Sequence, residues 1–410
     1  MKIGETTLKS ERTSVKSNYA SVSMGRKSDD LNYRMGFIKE ILNNKSVTPL
    51  IDFDQKSINS ITNEKTTDIR VLLNKQYFGL PHIIEQLGGK LKYVKSGSTG
   101  HTFKATSPNG DNGLNYAVKI VAYPKRENYG DMYDSTRPEN AELMMLKKLS
   151  YFVVRNQTPH IVLPICTFNT PIKPIVALSN ESFKNNKKFE EFIQRYKKKQ
   201  YYENMSVLIS EWANGGDLMD YIKKNYKSFT AMTWRILFFQ LLSVLAIIQA
   251  KYPSFRHNDL KPNNVLIHNI EPSKSDKYKY VINKTEYMIP YIGFIIKIWD
   301  FDFACIPGLV DNAKVNAQWT SKINIHPKRN QYYDVHYFFN TLTGKGFFPE
   351  FFSIDEVPLK VKQFVRRVVP EKYSTGDEVT EKGRIMTNEE ITTPDKILKT
   401  DPFFAKLRIR

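Results

Sequence analysis

The arrangement of apolar and polar positions changes character near Asp217. Before it, short runs rich in β-branched and aromatic residues predict strands: KLKYVKSG (90–97), HTFKATS (101–107), NYAVKIVAY (115–123), HIVLPICTF (160–168) and MSVLISEW (205–212). Turn residues separate the first three, Gly97 to Gly100 and then PNGDNG (108–113). Leu143, Leu146 and Leu149 share one face of a helix expected over Pro138–Leu149. After Asp217 a long apolar run, TWRILFFQLLSVLAIIQA (233–250), predicts a buried helix, with short strands and then further helices downstream. Strands first and helices later imply an α+β protein, a small antiparallel sheet lobe joined to a larger, mainly helical lobe.

The edges of that plan are also legible. Residues 1–30 are rich in Ser, Thr, Lys and Arg and are read as a flexible basic tail. Residues 31–90 regain apolar groups such as MGFIKEIL and DIRVLL and read as an amino-terminal extension packed on the body. The small lobe is expected over 91–213 and the large lobe over 214–410. A lysine-rich stretch between Pro171 and Asn204 reads as a surface insertion containing a helix. The core of the long apolar run, Ile236 to Ala250, is interrupted by Gln240, Ser243 and Gln249 and reads as too short to span a bilayer.

Composition adds constraints. With 41% hydrophobic and 13% aromatic residues in 410, the chain can bury a substantial core and is neither fibrous nor disordered. The formal charge of +19 admits nucleic acid, an anionic membrane surface or acidic partners, yet the cations are scattered, with a single cluster at Lys197–Lys199. No interleaving of basic and aromatic motifs supports nucleic-acid binding. Two distant cysteines, Cys166 and Cys305, exclude a disulfide framework or zinc site and point to a reducing compartment. The opening MKIGETTLKSER is not a secretory signal. Oligomeric state is not legible.

The chemistry concentrates in FRHNDLKPNNVLI (255–267), KIWDFDFA (297–304), VKSGSTGHTF (94–103) and AVK (117–119). In their order and spacing these segments resemble the eukaryotic protein kinases over about Val94 to Phe404, which implies the two-lobed kinase fold with ATP and Mg2+ as cofactors. By that resemblance Asp259 is the catalytic carboxylate that accepts the substrate hydroxyl proton, Lys261 neutralises the migrating phosphate, and Asn264 and Asp300 ligate magnesium. Gly97 and Gly100 match glycines that let amides approach phosphate, with Val94, Thr102 and Ala117 beside the nucleotide. Lys119 matches the lysine on the α- and β-phosphates, with Glu142 as its helical partner and Glu139 as competitor. In SVLISEWANGGDL (206–218), Ser210 aligns as gatekeeper, Glu211 to Ala213 as the adenine-binding hinge and Asp217 as a ribose contact. Asp334 is expected to anchor the catalytic loop. A lysine at 261 leans toward serine/threonine specificity, so the implied partners are proteins bearing Ser or Thr.

Several positions depart from the pattern. Lys95 stands where a first glycine is expected, and Asp302 replaces the glycine of D-F-G, which restricts the backbone there. Asn258 replaces an arginine that grips activation-segment phosphate, so activity is expected to be independent of such phosphorylation. No A-P-E precedes Tyr332, and a Lys- and Tyr-rich insertion lies between Asn264 and Asp300. These features resemble the divergent virion kinases of large DNA viruses, poxviruses and iridoviruses among them, which implies host cytoplasm and the virion as locations. Two rival readings share many of these residues: a small-molecule kinase of the aminoglycoside or choline type, and a pseudokinase scaffold.

Overall fold

The computed structural model describes residues 31–51, 53, 67–97, 100–106, 115–177, 186–270 and 277–409, and the backbone of 21–23. Most of the expected tail, Ser98 and Thr99 of the glycine-rich turn and residues 178–185 of the insertion lie outside them. The chain begins with strand β1 (Ser21–Ser23) and helices α1 (Leu31–Leu42), α2 (Ile69–Leu73) and α3 (Leu80–Leu87). The small lobe follows with β2 (Lys90–Ser96), β3 (His101–Thr106), β4 (Tyr116–Pro124), α4 (Pro138–Val154), β5 (Pro164–Pro171), α5 (Lys173–Val176), α6 (Lys187–Lys197) and β6 (Tyr201–Glu211).

Five of these strands form one antiparallel sheet in the order β2-β3-β4-β6-β5. Every residue of β4 from Tyr116 to Tyr123 is buried, because it lies third in that order with neighbours on both edges. Its register sets Lys119 opposite Thr102 on one side and Leu208 on the other. Tyr93 faces Phe103 and Lys95 faces Thr102, so a bulge at Val94 bends β2 just before the glycine-rich turn.

The large lobe contains α7 (Leu218–Asn225), α8 (Ala231–Lys251), β7 (Val265–Asn269), β8 (Lys277–Ile282), β9 (Thr285–Pro290), β10 (Phe294–Ile298), α9 (Gln318–Ser321), α10 (Tyr333–Leu342), α11 (Leu359–Val368) and α12 (Pro394–Thr400). At 21 residues α8 is longer than the apolar core in the sequence suggests, because a capping box between Thr230 and Thr233 starts it five residues before Ile236. That length would cross a membrane, but all its residues from Trp234 to Gln249 are buried against other elements. It is the central post of the lobe. The Lys- and Tyr-rich insertion becomes the β8–β9 hairpin, to whose edge β1 adds a third strand. This is a two-lobed α+β fold, with β7 and β10 pairing antiparallel beneath the cleft.

Candidate active site

Two clusters of polar side chains meet between the lobes. In the first, the Lys119 ammonium on β4 donates to both oxygens of Glu142 on α4, at 2.7 and 2.9 Å, and to Asp300 Oδ1 at 2.9 Å. Glu139, the competitor one turn earlier, is engaged by Arg137 instead. Burial opposes the charge on Lys119, but Asp300 and Glu142 more than compensate and hold its pKa above the ordinary value. Burial also raises the Asp300 carboxyl, and Lys119 overrides it, leaving that group at about 2. Burial holds Glu142 above the usual carboxylate range, partly offset by Lys119.

The second cluster is the loop after α8. Asp334 at the start of α10 accepts the backbone N–H groups of His257 and Asn258 at 2.7 and 2.9 Å, which fixes the loop to the lobe. Asn258 adopts the left-handed conformation, φ 63°, and its amide donates to the Phe303 carbonyl. Asp259 Oδ2 then accepts from Lys261 and from Asn264, each at 2.9 Å. The Trp299 N–H donates to the Asn264 carbonyl at 3.1 Å, so the residue before Asp300 is stitched to the loop that carries Asp259. Thus Lys119, Glu142, Asp300, Asn264, Asp259 and Lys261 form one continuous site.

The Asn264 amide nitrogen is spent on Asp259, so its oxygen is the atom it can offer a cation. Asp300 gives one oxygen to Lys119, and its side chain is a third exposed, which leaves the carboxylate reachable. Among the described residues no three His, Cys, Asp or Glu side chains make a metal cage. An amide oxygen and a carboxylate fit magnesium, which keeps few protein ligands and takes the rest from phosphate and water.

Around this centre the β2–β3 hairpin places Gly97 and Gly100 across a 2.8 Å hydrogen bond. A Cβ on Gly100 would lie 2.4 Å from the Ile120 carbonyl oxygen, so this glycine is required by close packing on β4. Thr102 is half-buried, Ala117 is buried opposite Ser210, and Val94 at the bulge is exposed. The Glu211 N–H is already bonded to Leu163, which narrows what the hinge can offer to the Glu211 carbonyl and the residues up to Ala213. Asp217 caps α7 by accepting the Asp220 N–H at 3.0 Å, so a local structural duty accounts for one of its oxygens. A cavity of about 570 Å3 runs from the glycine-rich hairpin past Glu139 and α6 to Asp259, Lys261 and Arg384; Lys119, Asp300, Asn264 and the hinge are not part of its lining.

Three parts of the site are absent from the motifs. Arg384 binds Asp259 Oδ1 from a carboxyl-terminal loop, and Lys314 binds Asp302. Arg34 on α1 reaches behind the hinge to Glu211, which also pairs with Lys297 at 2.9 Å. The one signal for Arg384 was indirect: Asn258 had removed a cation from the loop. No pattern marks Arg34 or Lys314.

An antiparallel five-stranded lobe over a helical lobe, with a Lys–Glu–Asp cluster and an Asp–Asn loop at their junction, is the protein-kinase architecture. The family model described as poxvirus serine/threonine protein kinase matches residues 130–361. R400 of Acanthamoeba polyphaga mimivirus, a proposed serine/threonine-protein kinase, is 46% identical over 383 residues, covering 92% of this chain and 80% of that protein. The chain therefore belongs to the poxvirus-type serine/threonine protein kinase family. A second mimivirus protein, the uncharacterized R402, is 25% identical over 67% of this chain and 31% of its own length. A Dictyostelium discoideum protein named as a probable serine/threonine-protein kinase shares 37% identity over 24% of this chain and 8% of its own length.

Proposed function

We propose that this chain is an ATP- and magnesium-dependent kinase that transfers the γ-phosphate to serine or threonine hydroxyls of proteins, with Asp259 as the base. The observation that carries it is the junction of the two clusters, Lys119–Glu142–Asp300 and Asp259–Asn264–Lys261, through the Trp299–Asn264 bond. The hinge and Ala117 would line the adenine site, and Gly97 and Gly100 would let the hairpin backbone approach phosphate. Lys119, held by Glu142, would bind the α- and β-phosphates. Magnesium held by Asp300 and Asn264 would screen the phosphate charge.

An incoming hydroxyl donates to Asp259. Its oxygen bonds to the γ-phosphorus as the proton passes to the Asp259 carboxylate, and the bond to the bridging oxygen breaks with its electron pair leaving on ADP. Lys261, 2.9 Å from Asp259, would neutralise charge on the transferred group. General-base and positioning effects of this kind are each worth about 10²–10⁴-fold. The test is label transfer from γ-labelled ATP to a protein mixture, with choline and aminoglycosides as rival acceptors. Asp259→Asn and Lys119→Met are expected to reduce transfer by about 10²-fold or more. Full transfer in both variants, or label only on the small molecules, would overturn the reading.

A further inference from the structure

Arg384 lies 125 residues from Asp259 in sequence, yet its guanidinium is buried against the catalytic loop. Nη2 donates to Asp259 Oδ1, and Nη1 donates to the Asn258 carbonyl and to the Tyr333 hydroxyl, the latter at 3.3 Å. The guanidinium also stacks 4.1 Å from the centre of the Tyr337 ring on α10. The loop that delivers it is tightly built. The Arg384 carbonyl accepts the Thr380 N–H at 2.8 Å, and the Arg384 N–H donates to the Thr380 hydroxyl at 3.0 Å. Asn340 on α10 holds the Gly383 carbonyl at 3.0 Å, and Asn324 holds the Ile385 carbonyl at 2.7 Å.

Burying a guanidinium is expensive, and a buried ion pair seldom stabilises more than well-packed apolar groups would. Stability alone therefore does not account for a cation anchored by so much surrounding structure. What the contact does is geometric. Lys261 and Asn264 reach Asp259 Oδ2 and Arg384 donates to Oδ1, with Tyr337 a further hydrogen-bond partner of this carboxylate, and the Arg384 bond to the Asn258 carbonyl ties it to the same loop. A planar fork suits this two-point grip, which a lysine ammonium cannot reproduce in full.

We propose that Arg384 is a positioning residue that orients the Asp259 carboxylate for the incoming hydroxyl, supplied by the carboxyl-terminal loop to a catalytic loop whose own position 258 is asparagine. This rests on the kinase reading above. Arg384→Ala is expected to lower kcat about 10- to 100-fold, since a misplacement of about 1 Å at a reacting group costs that much. The KM for ATP should stay within about twofold, because the Arg384 guanidinium bonds Asn258, Asp259 and Tyr333 and none of Glu211 to Ala213, and Arg384→Lys should recover part of the loss. Adding millimolar guanidinium to Arg384→Ala should also restore turnover in part. If Arg384→Ala does not fold, the Lys variant carries the test, with kcat intermediate and ATP KM unchanged.

Unchanged kcat in a folded Arg384→Ala, or a loss of thermal stability alone, would overturn the proposal, as would a rise in turnover, which would make the contact an inhibitory cap. Asp259→Asn, assayed in parallel, separates the two levels. If Asp259→Asn abolishes turnover while Arg384→Ala does not change it, only the positioning role fails. If Asp259→Asn turns over normally, the underlying reading fails.

Discussion

Replacing Arg34 with methionine tests whether the amino-terminal extension holds Glu211 at the end of β6 in place. The guanidinium on α1 makes two bonds to the Glu211 carboxylate and two more to the carbonyls of Pro159 and Ile161, at 3.1 and 2.8 Å. Glu211 is nearly sealed from water, so burial alone would raise its carboxyl; Arg34 and Lys297 reverse that and hold it at about 2, against an ordinary 4.5. A displacement of that size corresponds to roughly 3 kcal/mol. Breaking one partner out of a buried ion cluster costs about 3–5 kcal/mol, in the same range. Arg34→Met should therefore lower the free energy of unfolding by about 3 kcal/mol at pH 7, read by urea denaturation. Because the Glu211 carboxyl is depressed in the folded protein, its contribution is complete above about pH 4.5 and drains away as pH falls toward 2. The stability gap between wild type and Arg34→Met should narrow over that interval. A gap below about 1 kcal/mol at pH 7, the level of a surface pair, would refute the argument. So would a gap that stays constant down to pH 3.

Three further outcomes can be measured. Gly100→Ala must push the glycine-rich hairpin off β4, since the new methyl would sit 2.4 Å from the Ile120 oxygen; overpacking of this kind costs about 1–3 kcal/mol, and ATP KM should rise severalfold, whereas wild-type KM and stability would contradict the packing. His101 is stacked edge-on by Phe189 and Phe192 of α6, and burial lowers its pKa to about 4, so this docking is complete above pH 6.5 and lost as pH falls toward 4. Wild type should thus lose roughly 2–3 kcal/mol more than His101→Phe between those pH values in denaturant titrations, and parallel curves would sink the idea. Ser321→Ala should leave turnover within about twofold, as expected if position 258 no longer needs a phosphate to grip; a tenfold fall would argue the reverse. Thr320 is a poor companion mutation because its buried hydroxyl bonds the carbonyls of Lys314 and Val315, both at 3.1 Å.

Much of the architecture could be read from the sequence because its signals are local. Runs rich in β-branched and aromatic residues mark β2, β3, β4 and β6, and the segment 255–267 is dense enough in specified residues to carry the family resemblance. Glu142 and Glu139 stood as competitors for Lys119 by the family resemblance, and of the two the geometry puts Glu142 on that lysine and Glu139 on Arg137. Boundaries were harder. The strand in HIVLPICTF begins at Pro164 instead of His160, because the His160 ring is held in the large lobe by the Ile296 carbonyl and the Tyr280 hydroxyl. Partners supplied from distant segments were invisible. Arg384 stands in a polar stretch without periodicity, and Arg34 in a helix whose buried face includes a charge that composition would assign to solvent.

The features that were hidden share one physical logic. At each of three steps around the cleft, a buried carboxylate in a motif meets a cation from outside it: Glu211 meets Arg34, Asp302 meets Lys314, and Asp259 meets Arg384. Asp302 matters most for the departure from D-F-G. Its carboxylate reaches forward to Lys314, while the neighbouring Ala313 N–H donates to the Thr136 carbonyl at 2.7 Å and Asn312 grips the carbonyls of Asp302 and Ala304. The segment after Asp300 is thereby clasped to the start of α4, the helix that presents Glu142 to Lys119. A glycine at 302 would free the backbone and remove the ion pair to Lys314, leaving the bonds that Asn312 and Ala313 make to backbone carbonyls as the clasp. With aspartate there, the segment after Asp300 carries an ion pair to Lys314 in addition to the backbone bond that fastens it to the start of α4.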